Sequence, residues 1–428
     1  MLTPSLLAAH TTLSLQEKHV DVLAKLIADA LPQQPNRPSL NLSLAIDRSG
    51  SMSAGNALEH AKQACLNLLS RLAATDRIAV VMYDGNADIA LPSCLVSEAR
   101  LKLPSILQRY RPGGSTALHK GWLTAAGQAA PFVGDYDISR ILLLSDGQAT
   151  DGQCNPSALK EEAHQLLGEG LSTATYGLGL GFNELLMTEM AAGGPARFAQ
   201  DALQLEPYFD ADFNLLSQTV APHVLLKLTA QCGDITLNVE NLNDFSKDEA
   251  GYYRLPAAVA DAETWSAFRC SLDLIKNAKA IDIKADWKWT TLDGKQHQQQ
   301  DCLSLKVGKK TSKPNEQVTE RCAELDAARL ARKASEAARL GDFIVAGQHI
   351  QNMRGLSAQN AYICGVADNL ESLVARGDAV SFSKEALYSS STMSNRIADN
   401  NEMSGSLDSD RFGLRKAVQG KANQGGQS

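Results

Sequence analysis

A chain of 428 residues exceeds what one ordinary core serves, so two or three domains are expected. Its 44% hydrophobic content suits a soluble protein, and a formal charge of −7 excludes the basic footprint of a nucleic-acid binder or a partner of anionic membrane surfaces. The start, Met1 to His10, lacks the basic region and apolar core of a signal peptide, and no run approaches a membrane span, so a cytoplasmic location is expected.

Thr12–Leu13–Ser14–Leu15 and Val20 to Ile27 read as strands, although Val20 to Leu31 also fits a short helix. Pro32 to Pro38 is a polar, proline-bearing linker closing an N-terminal segment, 1–38, whose strands are expected to join a later sheet. Leu42 to Ile46 is a buried-strand run that breaks at Asp47–Arg48–Ser49–Gly50–Ser51–Met52 before a helix from Asn56 to Leu72. Arg77 to Tyr83 is the next strand. After a helix from Ser97 to Tyr110, Gly113–Gly114–Ser115–Thr116 sets a hydroxyl at the start of a helix running to Ala130. Ile141 to Leu144 is a further strand, ending in Ser145–Asp146–Gly147. Helices at Pro156 to Leu167, Asn183 to Ala192 and Leu203 to Thr219 and a strand at Leu171 to Gly177 continue the alternation, which predicts an α/β, doubly wound, mostly parallel sheet over 39–222.

Parallel strands present all their carboxyl ends on one edge, where Asp47, Ser49, Ser51, Thr116 and Asp146 can converge. Oxygen ligands without His or Cys suit Mg²⁺, Mn²⁺ or Ca²⁺ rather than zinc. Each piece alone is an ordinary turn with a capping hydroxyl; the three in this order and setting point to a cation site. Asp-x-Ser-x-Ser, a distant Thr after Gly–Gly and a later Ser–Asp–Gly resemble the metal-ion-dependent adhesion site of the von Willebrand factor A (VWA) domain. The resemblance implies Ser49, Ser51 and Thr116 as direct ligands, Asp47 and Asp146 as direct or water-bridged ones, and one coordination position left for a carboxylate of a protein partner. Arg48, Met52, Tyr83, Asp84, His119 and Asp151 flank these loops as the expected rim, with Arg48 placed to steer an acidic partner.

Past Pro222 short strands follow without helices, clearest at Ile281 to Trp289, where apolar and polar residues alternate before the Asp293–Gly294 turn and a return strand from Cys302 to Val307. This predicts a smaller antiparallel β-sandwich over 223–312. From Glu316 the chain is alanine-rich, with Ala323, Ala327, Ala331, Ala334 and Ala338 on one slim face. A helical hairpin or three-helix cap is expected over 313–380, its third segment at Asn360 to Arg376. The segment 381–428 reads as a mostly flexible tail. Its stretch Tyr388 to Arg396 is similar to a Tyr- and Ser-rich element in bacterial VWA proteins of this layout; a plain linker and a phosphorylated or docking segment both remain open.

The eight cysteines stand singly without a Cys-x-x-Cys pair, as in a reducing compartment. There is no His–Glu-x-x-His, Gly-x-Ser-x-Gly or Walker-type loop. Gly177–Leu178–Gly179–Leu180–Gly181 follows a late strand without a downstream acidic anchor and reads as a tight turn rather than a dinucleotide site. A non-enzymatic, metal-dependent adaptor or scaffold in an intracellular assembly is therefore expected. The alternative is a Mg²⁺-dependent phosphoryl-transfer hydrolase using Asp47, which lacks a second carboxylate because that position is Ser49.

Overall fold

The computed structural model describes residues 1–29, 37–199, 202–272, 279–356, 360–394 and 398–399. Most of the Pro32 to Pro38 linker and the tail beyond 399 lie outside the described residues. Those within Arg37–Gln218 and Asp378–Tyr388 form one compact unit, and those within Met1–Asn36, Thr219–Gly377 and Ser389–Ser409 the other.

The first unit is built on a six-stranded sheet in the order Ala87–Leu95, Arg77–Tyr83, Leu40–Asp47, Ile138–Ser145, Leu171–Leu178, Gly193–Ala199. All neighbours are parallel except the edge pair of Arg77–Tyr83 with Ala87–Leu95. All eight residues of Leu40–Asp47 are buried. Side chains alternate across a strand, so Leu42, Leu44 and Ile46 enter a core with helices Ala57–Arg71, Val96–Leu107 and Leu205–Ser217. Ala45 enters the opposite core, against helices Leu118–Ala129, Pro156–Gly168 and Glu184–Met190. The chain leaves Leu40–Asp47 toward Arg77–Tyr83 on one side and later returns to pair Ile138–Ser145 on the other, which makes the carboxyl end of Leu40–Asp47 a topological switch point. Sequence and structure agree on this doubly wound architecture.

In the second unit, strands Leu2–Ala8, His19–Ala28, Ala262–Ser271 and Val239–Asn241 form one antiparallel sheet. Strands Ile235–Thr236, His223–Cys232, Ala280–Thr290, Gln296–Gly308 and Thr12–Ser14 form another, and apolar residues of both share a core that includes Phe268, Trp287 and Leu305. His19–Ala28 is a strand and not a helix. Its weak alternation has a physical cause: Val22, Ala24 and Leu26 face that core, whereas Leu23 packs with Val318, Cys322 and Leu325 of helix Glu316–Arg339, so both faces are buried. The Ala323, Ala327, Ala331, Ala334 and Ala338 face is buried throughout.

The three-helix alternative for 313–380 matches Glu316–Arg339, Phe343–Leu356 and Ala361–Ala375; one expectation needs correction, because a further helix follows, Ala379–Ser394. The last occupies residues assigned to the flexible tail; it buries Phe382, Ala386, Leu387 and Met393, whose spacing is masked by intervening serines.

Candidate functional site

Asp47 ends the central strand fully buried, its carboxylate accepting the Ser49 N–H at 2.8 Å and the Ser145 hydroxyl at 2.7 Å. The chain then turns through the short 3-10 segment Gly50–Asn56, and the Ser49 and Ser51 hydroxyls lie 3.0 Å apart. Ser51 Oγ donates to Asp146 Oδ1 at 2.7 Å. The second loop is tied to the first through the backbone: Gly113 N–H donates to Arg48 O at 2.8 Å and Gly50 N–H to Gly114 O at 3.2 Å. Gly114 adopts a φ of +84°, a region favouring glycine, and this bend brings Thr116 round to the site.

Gly147 marks the point of convergence. A β-carbon built there would meet Ser51 Oγ and Thr116 Oγ1 at 3.4 Å each and Ser49 Oγ at 4.0 Å, so hydroxyls from two loops surround a space on the third. Among the described residues no three His, Cys, Asp or Glu side chains gather as a metal cluster. The set gathered here is instead three hydroxyls and two carboxylates, which is the donor chemistry a hard cation takes.

Burial pushes the Asp47 carboxyl up to about 6, partly offset by the Ser145 hydrogen bond. Burial also raises Asp146, against the hydrogen bond from Ser51. Two carboxylates whose charge is thus disfavoured, beside hydroxyl oxygens and a glycine-lined space, fit a bound cation.

The expected rim divides. Met52 is fully buried in the core with Leu42 and Leu58, because the 3-10 turn points it inward, and cannot touch a partner. Tyr83 is likewise fully buried, its hydroxyl donating to Leu144 O at 2.8 Å and its ring lying against Gly121. Arg48 is not a free steering charge: it pairs with Asp84 at 2.7 Å and lies over the Tyr110 ring at 5.8 Å. Asp84 also accepts the Asn86 N–H and, through its carbonyl, the Ala117 N–H, so this ion pair braces the first two loops. His119 Nε2 lies 2.7 Å from Glu162. Asp151 is exposed.

Two contributors escaped the sequence reading. Ser145 donates to Asp47, and Thr150 Oγ1 accepts the Thr116 N–H at 3.0 Å while its own N–H donates to Thr116 O at 3.0 Å. Ser145 is the last residue of strand Ile138–Ser145, which brings its hydroxyl to Asp47. The glycine run after Leu171–Leu178 is a close-packed turn. Gly179 has a φ of +64°, and a β-carbon on Gly181 would fall 2.6 Å from Asp146 O.

Residues 42–148 match the profile of the von Willebrand factor type A domain, so the chain carries such a domain over this stretch. An uncharacterised protein, YfbK, of Escherichia coli K12 is 30% identical over 181 residues, 42% of this chain and 30% of that protein. Mouse inter alpha-trypsin inhibitor heavy chain 4 is 28% identical over 203 residues, 44% of this chain and 21% of that one. The chain thus spans under a third of the length of either relative. Two solved structures share the fold over most of both chains: a von Willebrand factor type A protein from Catenulispora acidiphila (TM-score 0.69, 15% identity, 86% of this chain and 89% of that one) and the ArnB paralog VWA2 from Sulfolobus acidocaldarius (TM-score 0.61, 16% identity, 92% and 98%).

Proposed function

We propose that this protein is a metal-dependent adaptor or scaffold: a divalent cation, Mg²⁺ or else Mn²⁺ or Ca²⁺, sits among Asp47, Ser49, Ser51, Thr116 and Asp146 and takes an Asp or Glu carboxylate from a partner protein. The observation that carries this reading is the convergence of the Ser49, Ser51 and Thr116 hydroxyls on the space at Gly147, with Asp146 hydrogen-bonded to Ser51. A bound cation would supply a directional charge for the incoming carboxylate, and Mg²⁺ in particular holds its shell in strict geometry. The chain's own residues do the rest. The Arg48–Asp84 pair and the Gly113 and Gly50 backbone bonds hold two loops in register, and Ser145 and Ser49 N–H orient Asp47.

A hydrolase built on Asp47 has no support. Its carboxylate is fully buried and takes two hydrogen bonds, and Ser49 stands where a second acid or base would be needed. Among the described residues no helix is long and apolar enough to cross a membrane. We propose that it acts in the cytoplasm, a reducing compartment that suits eight cysteines standing singly in the sequence without a Cys-x-x-Cys pair.

The test is calorimetric titration of the full chain with Mg²⁺ and Mn²⁺, alongside capture of partners from lysate with and without EDTA. Saturable metal binding lost in Ser49→Ala, Thr116→Ala and Asp146→Ala, with EDTA-sensitive capture lost in parallel, is the expected result. Capture indifferent to both chelator and substitutions would remove the metal from the function.

A further inference from the structure

The Gln296–Gly308 strand, which Leu2–Ala8 approaches, has an edge whose Gln296 to Leu305 stretch pairs with no strand among the described residues. Its inner side pairs with Ala280–Thr290 over eleven residues without a register shift, from Ala280↔Lys306 to Thr290↔Gln296. Its outer side is covered by Thr12–Ser14 only at Lys306, Val307 and Gly308. Among the described residues no strand pairs with the outer side of Gln296 to Leu305.

The direction of the free groups follows from two bonds. Lys306 N–H donates outward to Thr11 O at 3.1 Å, and Val307 N–H donates inward to Lys279 O at 3.0 Å. Backbone groups alternate along a strand, so Gln296, Gln298, Gln300, Cys302 and Ser304 direct theirs away from the sheet. Gln296 to Gln300 are all exposed. Such an edge is normally blunted by Lys, Pro or a bulge. The other unit shows those devices at its own edge strand, Ala87–Leu95, which holds Pro92 and two register shifts. Gln296 to Leu305 has none of them.

We propose that this edge pairs with the same edge of a second copy of the chain, antiparallel about a twofold axis at Gln299. The register is selected by chemistry. Outward-bonding residues must face one another, and centring on Gln299 sets Gln298 opposite Gln300 and Gln296 opposite Cys302 as hydrogen-bonded pairs. The same register sets His297 opposite Asp301, twice by symmetry, so an imidazole N–H meets the one carboxylate of the stretch. His297 is already held in place, stacked on Trp289 with ring centroids 5.4 Å apart and planes at 9°. The remaining pairs, Gln298 with Gln300, Gln296 with Cys302 and Gln299 with its own copy, carry no charge, so the strand meets its own copy without like-charge repulsion. Centring on Gln300 instead would set Asp301 against Gln299 and His297 against Leu303, which wastes both polar partners. The inference does not depend on the metal site.

The test uses the full chain in sedimentation equilibrium and oxidative cross-linking. A reversible dimer is expected. Gln300→Pro, which removes an outward N–H, and the single changes His297→Glu and Asp301→Lys each weaken it by about tenfold or more, whereas His297→Glu with Asp301→Lys together restores it. In a Cys302→Ser background, Gln299→Cys cross-links two copies, because a non-hydrogen-bonded pair on the axis has the spacing a disulfide needs, whereas Gln298→Cys does not. Unchanged thermal melting of each variant separates lost pairing from lost folding. A chain that stays monomeric at every concentration, or a dimer indifferent to these substitutions, overturns the proposal.

Discussion

Asp47 occupies a position where its negative charge is a cost until a positive one arrives. Its carboxyl in the folded chain titrates at about 6, above the ordinary 3.8, so the stability it contributes is complete below the unfolded value and is lost as pH rises through the folded one. Metal-free protein should therefore give up about 2–3 kcal/mol from this group between about pH 4 and pH 7, and a bound divalent cation should return it. Melting curves check this: the increment from Mg²⁺ should be larger at neutral pH than near pH 5, and Asp47→Asn should flatten the metal-free profile. An increment of the same size at both values contradicts the linkage. Gly147 supplies a second residue-level prediction. An alanine methyl there would rest at ordinary contact distance from Ser51 Oγ and Thr116 Oγ1, so Gly147→Ala should leave the metal-free melting temperature nearly unchanged. It should nevertheless weaken Mg²⁺ affinity by about tenfold, corresponding to about 1.4 kcal/mol, since the methyl fills the space the hydroxyls surround. At this scale the sequence could name oxygen-bearing side chains at strand ends, because strand direction alone brings them to one edge. It could not tell that Met52 turns inward or that Arg48 is neutralised by Asp84, since both depend on tertiary packing of a loop.

The loops are held by the elements that follow them, and helix Leu118–Ala129 shows how closely. A β-carbon on Gly121 would fall 2.4 to 2.8 Å from Tyr83 ring and β-carbon atoms, so the helix approaches the sheet at a distance only glycine permits. Gly121→Ala gains about 1 kcal/mol of helix propensity but must move the helix or the ring, an overpacking cost of about 1–3 kcal/mol. The helix begins two residues after Thr116, so the same shift should displace that hydroxyl. Denaturant unfolding should show a net loss, accompanied by weaker Mg²⁺ binding; unchanged metal affinity would mean that the second loop is positioned independently of its helix. Elements with one buried face were legible, as in Ala280–Thr290, where burial alternates as the sequence does. Helix Ala379–Ser394 was not, because its polar residues are buried too: Ser381, Ser383, Lys384, Glu385, Ser389 and Ser390 are all hidden. A helix enclosed on most sides has no polar stripe to reveal its period.

Over the whole chain, the fold is discontinuous in sequence. The N-terminal strands belong with residues beyond 219, and Asp378–Tyr388 belongs with the unit built from Arg37–Gln218. That return is secured by a polar anchor. Lys384 Nζ donates to Phe182 O at 2.6 Å, pairs with Glu184 at 3.0 Å and lies 3.9 Å from the Phe182 ring centroid, while Ser383 Oγ donates to Glu184 at 3.0 Å. Burial alone would raise the Glu184 carboxyl, but Lys384 and the hydrogen bonds bring it below its ordinary value. A carboxylate lowered in this way stabilises the fold above its unfolded pKa and loses that contribution as pH falls through the folded one. Lys384→Met keeps most of the buried stem and removes the cation that faces Glu184, and should cost about 3 kcal/mol. Adding Glu184→Gln removes the carboxylate charge as well and should recover most of the loss, with the acid-dependent component gone. Hydrogen exchange gives the local check: Lys384→Met should raise exchange in Ala379–Tyr388 and Gly179–Met190 together. If only the helix loosened, the anchor would be a passive clip; loosening of both would make Gly181, which abuts Asp146 O, a route by which the returning helix bears on the loop that carries Asp146.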